Sequence, residues 1–271
     1  MHAILSLAAL HETYQDPLNQ QSSLYEAELH HTKALQGFRE AINDIGSHNA
    51  DALFTSAVLS FIYAFTTFGK LRSAQDGETL SFSARTSRVL GTEWIPLARG
   101  VKTILEPVYE HVRKGPLCPI LSIENWDELD VETHVSGSDA YMLRLREIWE
   151  GDENAEVYDQ TVHLLRKCAA WMSQFQIQGP QQEGSKWGYN RAWSGPFIWL
   201  ALSPERYFVL QQQRQPAALV LFAYFGVLLL QLEAYWWMEG CGKSIIGVVS
   251  ECLGPYWSPY MEWPKQMGGL G

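Results

Sequence analysis

This chain of 271 residues is poor in cysteine motifs, in clustered cations and in alternating apolar–polar runs. Its four cysteines, Cys118, Cys168, Cys241 and Cys252, form no C-x-x-C pair, and no histidine cluster completes a zinc pattern. A disulfide framework and a bound metal therefore find no support. The reading is a reduced intracellular protein, cytoplasmic or nuclear. Lys and Arg number 20 against 30 Asp and Glu, a formal charge of −10. So acidic a body repels nucleic acid and anionic membranes unless a basic patch intervenes. The densest basic stretch, Arg85, Arg88, Arg99 and Lys102, is too sparse to be one, so no direct nucleic-acid contact by this chain is expected. There is no G-x-S-x-G elbow, phosphate-binding glycine loop or dinucleotide fingerprint, so no cofactor is expected.

Long apolar runs are also missing. The longest, AALVLFAYFGVLLL at 217–230, spans 14 residues, whereas a membrane span needs roughly 20. Gln231 and Glu233 close it early, which predicts a buried core helix and no membrane span. Residues 1–10 are apolar but lack the basic start of a signal peptide.

What is present is apolar bulk: 46% hydrophobic residues and 11 tryptophans, enough for one large domain or two tightly packed halves. Apolar residues recur at helical spacing, and strand-like alternation is scarce. The spacing predicts helices over 1–14, 24–45 (capped by Ser23), 50–68 (capped by Asn49), 94–113, 139–149, 153–175, 205 onward, 216–238 and 243–253. Residues 69–87, 118–138 and 176–194 read as connections. The expectation is an all-α fold of about eight to ten helices, a single domain over 1–271 enclosing a hydrophobic pocket, with 118–138 as the best place for a boundary.

Three segments carry a resemblance. The first is HAILSLAALH, followed by LHHTKALQGFREAI and NADALFTSAVLSFIYAF. The second is GVKTILEPVYEHVRKGPLCPIL, and the third runs from RQPAALVLFAYFGVLLLQLEAYWWMEGCGKSII to the terminal EWP. In their order, spacing and WW-x-EG element they resemble the C-terminal effector domain of fungal zinc-cluster transcription regulators of the sterol-uptake-control type. The resemblance covers nearly the whole chain. It implies an all-helical domain enclosing a hydrophobic ligand, a sterol in the sterol-responsive members. Occupancy there holds the regulator inactive, and ligand loss releases it to act in the nucleus. Burying a sterol-sized body at about 25 cal/mol per Å2 suffices for micromolar binding. The family's six-cysteine zinc cluster lies ahead of this domain and is not in this sequence. Either the effector domain has been cut from a longer regulator, or it is encoded alone. The chain also departs from the family's pattern at Glu233 and Cys241.

On helix geometry, Phe61, Phe65, Trp199, Phe222, Phe225, Tyr235, Trp236, Trp237 and Met238 are the expected wall of a site for a hydrophobic small molecule. Glu233 precedes Trp236 and Trp237 by three and four residues, which puts it on their side of a helix. If that side is buried, Glu233 becomes a general acid among rings that steady a carbocation. The chain would then be a cofactor-free cyclase or isomerase acting on a terpenoid or polyketide. The plainer alternative is an exposed carboxylate, or one paired with Lys243. A third reading is a dimerising scaffold, since surplus aromatics also fit a homodimer. Glu239 reads as structural, and Gly240 and Gly242 as a helix stop and a tight turn, or a ligand-sensitive hinge. His30 and His31 need remote partners to bind a metal, and His2 and His11 form no dyad. NDIGSHNAD, at 43–51, has the look of a terpene-cyclase metal motif, but turn residues and a helix cap explain it.

Overall fold

Each polar turn in this sequence hands a helix to the next, and the turns are built by the side chains that composition placed there. The computed structural model describes residues 1–16, 18–68, 81–121, 123, 125–133, 137–175 and 192–271. Among the described residues every regular element is a helix, as expected. Chain contacts divide them into two compact units: Met1–Ser122 with Tyr235–Met238, and Ile123–Ala234 with Glu239–Gly271. The first boundary lies inside the connection at 118–138.

The first unit opens with α1 (His2–Gln15) and α2 (Gln20–Ala41), packed on each other. Asp16 makes the turn between them. One of its carboxylate oxygens accepts from the Leu18 N–H at 3.0 Å and the other from Asn19 Nδ2 at 2.8 Å. The chain thus enters α2 earlier than expected, and Ser23 is a buried residue inside the helix, not its cap. At the far end Asn43 Nδ2 donates to the carbonyls of Arg39 and Glu40, so the helix stops short of residue 45. Asn49 accepts from the Gly46 N–H at 3.0 Å and donates to the Asp44 carbonyl at 2.9 Å, closing the NDIGSHNAD turn.

Helix α3 (Ala50–Phe68) begins and ends where periodicity placed it. It packs against α1, α2 and α5 (Trp94–Leu105), which explains why apolar residues surround it. By length and composition α3 is long and apolar enough to cross a membrane; half of that stretch is buried inside the protein, and a core helix has the same composition. Residues 69–80 of the expected connection lie outside the described residues. Its end is helical: α4 (Phe82–Val89) starts on Ser81, whose Oγ accepts from the Ala84 N–H. The expected helix over 94–113 breaks at Pro107. Proline has no N–H to continue the ladder, so a 3₁₀ turn (Glu106–Val108) separates α5 from α6 (Tyr109–Lys114). The short α7 (Cys118–Leu121) closes the run. Such one-turn helices add to the count because they are too short to show a period.

The second unit contains α8 (Asp139–Arg144), α9 (Ala155–Ser173), α10 (Ser194–Leu202), α11 (Glu205–Gln212), α12 (Pro216–Leu230), α13 (Cys241–Leu253) and α14 (Ser258–Met267). Most of the expected loop at 176–194 lies outside the described residues, and Ser194 already begins α10. Helix α12 is the centre: α9, α10, α11, α13 and α14 all pack on it, and its side chains are buried from Ala217 to Leu229. Two glycines set its distance from α13. A Cβ on Gly242 would sit 2.5 Å from the Gly226 carbonyl oxygen, and one on Gly226 would sit 3.1 Å from the Gly242 carbonyl oxygen. Gly242 is therefore a helical contact point, not the tight turn expected of it. The left-handed residue is Gly240, at φ 75°.

A buried ion pair, extended by an exposed Glu132, ties α9 to α8. The Arg166 side chain is 7% exposed. It donates from Nε and Nη2 to both oxygens of Asp139, at 2.6 and 3.0 Å, and from Nη1 to Glu132 at 2.9 Å. The bond to Asp139 pushes the guanidinium further above its ordinary pKa.

Candidate functional site

The segment QLEAYWWMEG does not continue α12. The helix stops at Leu230, and residues 231–240 run through successive turns before Gly240 starts α13. The expected helix to 238 is eight residues too long, and the geometry derived from it falls with it. Glu233 shares no helix face with Trp236 or Trp237. It is exposed, so the desolvation that a buried general acid needs is missing. Its charge, after burial itself, pushes the Cys241 thiol well up, which keeps Cys241 protonated and unreactive.

Turns let three consecutive rings point where a helix would have spread them. Tyr235, Trp236 and Trp237 are each half-buried in the first unit, and Met238 is fully buried. Trp236 lies 4.8 Å from the His11 ring and 6.0 Å from Tyr14. It packs with Leu7 and Leu24 against a core of Ala9, Leu10, Ala27 and Tyr63. Trp237 meets Phe65 edge-on at 6.2 Å, and Tyr235 stands 6.2 Å from Trp237. Behind them Phe65 contacts Phe61, Phe68 and Trp94, with Phe68 stacked on Trp94 at 5.1 Å. Burial raises the Tyr235 phenol. Of the nine expected wall residues, Phe61, Phe65, Trp237 and Tyr235 thus form one chain of ring contacts, while Trp236 packs on α1 and Met238 is buried in the same unit.

The other three, Trp199, Phe222 and Phe225, belong to the second unit. Trp199 stacks on Phe225 at 4.7 Å, and Phe222 stacks on Phe225 at 5.5 Å. Trp199 Nε1 donates to the Thr161 carbonyl, and the neighbouring Tyr207 hydroxyl donates to the Ala218 carbonyl. All three expected residues are 0% exposed. A ring facing a ligand-sized void would present surface to it; these present none and fill the core.

Sequence reasoning missed two features of the first unit. The first is a pairing of histidines across α1 and α2. His2 Nδ1 and His30 Nδ1 lie 2.9 Å apart with their rings stacked, and His31 stacks on Tyr63 at 3.8 Å between centroids. Burial lowers the His31 pKa to about 4. Recognising Asp16–Asn19 as a hairpin turn would have paired position 2 with position 30. The second is a groove of about 310 Å3 between the start of α1, the first turns of α3 and Pro116–Leu117. A further groove, of about 450 Å3, lies in the second unit beside His163 and Leu202.

Residues 1–88 match the fungal specific transcription factor domain, a stretch that carries α1, α2, α3 and most of α4. The chain is also similar to a Zn(2)-C6 fungal-type transcription factor of Gibberella zeae, with 23% identity over 275 residues, 99% of this chain and 52% of that protein. It therefore spans about half the length of this relative. No solved structure matches it. Both likenesses support a fungal transcription-factor domain, and the aromatic site at Tyr235–Met238 is built on the helices of the matched stretch.

Proposed function

We propose that this chain is the regulatory part of a fungal transcription regulator of the sterol-responsive kind. Its input is a hydrophobic small molecule taken up beside Trp236 and Trp237, and its two units serve as one effector domain over 1–271. The observation that carries this reading is the state of Tyr235, Trp236 and Trp237. They are half-buried and held by turns, and rings of α1 and α3 back them. A flat apolar ligand gains by covering such edges, because part of their surface is still in water. Fully buried rings such as Phe222 have nothing left to gain. The chain's charge of −10 disfavours direct DNA contact by this chain, and in this reading its setting is the cytoplasm or nucleus. With Glu233 exposed, no observation favours the cyclase or isomerase alternative.

Tryptophan fluorescence with ergosterol carried in cyclodextrin tests the reading. Saturable quenching is expected. Trp236→Leu and Trp237→Leu should each weaken it about tenfold, the scale of one lost aromatic contact plus its buried area. Trp257→Leu, remote from the segment in sequence, serves as the control. Unchanged affinity in both of the first two variants would discard the site.

A further inference from the structure

The groove at the start of α1 and α3 has one polar feature that nothing in the fold accounts for. Its walls are mostly apolar and include Ile4, Leu59, Pro116 and Leu117. Asp51 and Thr55, one helical turn apart on α3, line it as well. Asp51 Oδ1 is buried and has no hydrogen-bond partner among the described residues. The carboxylate lies against the Gly115 backbone: a Cβ there would be 3.5 and 3.6 Å from its two oxygens. A side chain at 115 would contact the carboxylate directly, and glycine leaves that space open.

A carboxylate in the first turn of a helix is favoured by the unpaired backbone N–H groups there. That field does not replace a direct donor, and a buried charged oxygen without one is costly. An apolar groove with a single unsatisfied anionic acceptor is complementary to a molecule with an apolar body and a cationic donor head. We propose that the groove binds a small amphipathic ammonium. The ammonium donates to the Asp51 carboxylate and to the Thr55 hydroxyl oxygen, and the alkyl body lies along Ile4, Leu59 and Pro116. This site is separate from the aromatic segment and does not rest on the effector reading.

Calorimetry on the full 271-residue chain tests it, with hexylammonium as the probe and hexanol as its uncharged counterpart. Hexylammonium is expected to bind saturably and at least about tenfold more tightly than hexanol, the scale of one charge-assisted hydrogen bond. Asp51→Asn keeps the shape and should bring hexylammonium to the hexanol level. Ile4 is 54% exposed, so Ile4→Trp can obstruct the groove without disturbing the core, and it should weaken both probes. Equal affinity for the two probes in the unmodified chain, or no saturable ammonium binding, overturns the proposal. So does undiminished ammonium binding in a folded Asp51→Asn protein, or, if that variant does not fold, in Ile4→Trp.

Discussion

Aromatic rings are used in opposite ways at two places, around Phe225 in the second unit and at 235–237 in the first. In the second, Trp199, Phe222 and Phe225 stack with no surface left, and the polar atoms of Trp199 and Tyr207 are bonded to helix carbonyls. Two of its charges also turn inward, with Arg166 and Asp139 each 7% exposed at the side chain. In the first unit the rings at 235–237 keep an edge in solvent, and α1 and α2 leave Ile4, Leu5, Tyr25 and Leu29 exposed. A ring that is wholly buried contributes stability and can recognise nothing. A half-buried ring gives up some stability and keeps area for a partner. The same residue types thus serve as frame in one cluster and as surface in the other.

The largest expected effect strikes the closed unit. Arg166→Leu leaves Asp139 buried without its cation and should destabilise by about 3–5 kcal/mol, read from urea unfolding. Adding Asp139→Leu should return much of the loss, because an apolar pair carries no desolvation cost. If the single variant unfolds like the parent, the second unit is not the rigid partner in the comparison. Next comes Gly242→Ala. Its methyl would meet the Gly226 carbonyl at 2.5 Å, which should cost about 1–3 kcal/mol in the same assay, with α13 forced away from α12.

The smallest effect belongs to the open unit and depends on pH. His31 takes up a proton at about 4 when folded, against 6.5 as the ordinary value, because its ring is partly buried on Tyr63. The unfolded chain therefore binds the proton first as pH falls. The stability from neutral His31 is whole above 6.5 and is lost between 6.5 and about 4. His31→Phe keeps the stacking and removes the proton, so its melting temperature should fall less over that window than the parent's. Asp159, held below its ordinary pKa chiefly by the bond from Arg146 and also by that from Trp149, adds acid sensitivity only below 3.8. Parallel melting curves for the two proteins between 6.5 and 4 would remove His31 from the account.

Much of the fold was readable because long helices repeat their period many times. Helix α3 matches its expected bounds, and Pro216 opens α12 where proline at a first turn should; Pro204 stands one residue outside α11, at its cap and not in its first turn. The errors fall where one side chain decides. Ser81 turned an expected loop into a helix start, and Pro107 cut a helix that the pattern ran through. The site was half legible. Tyr235, Trp236 and Trp237 were singled out, but the end of α12 was misplaced, and with it the side on which Glu233 stands. Gln231 and Glu233 marked the end of the apolar run, but burial gave no further signal, because Leu232 and Met238 within the turns and Cys241 after them are buried as well. Asp51 and the pairing of His2 with His30 depend on which helices meet, which no local pattern records.

The first unit is discontinuous in sequence: Met1–Ser122 is completed by Tyr235–Met238. A protease acting at the 122–123 junction would therefore not release it whole. The fragment Met1–Ser122 would lack Trp236 and Trp237, and the rings of His11 and Phe65 that they cover would be left bare to water. A gene truncated anywhere before residue 239 damages both units at once. Loss of the last seventh of the chain should therefore behave genetically as loss of the whole protein.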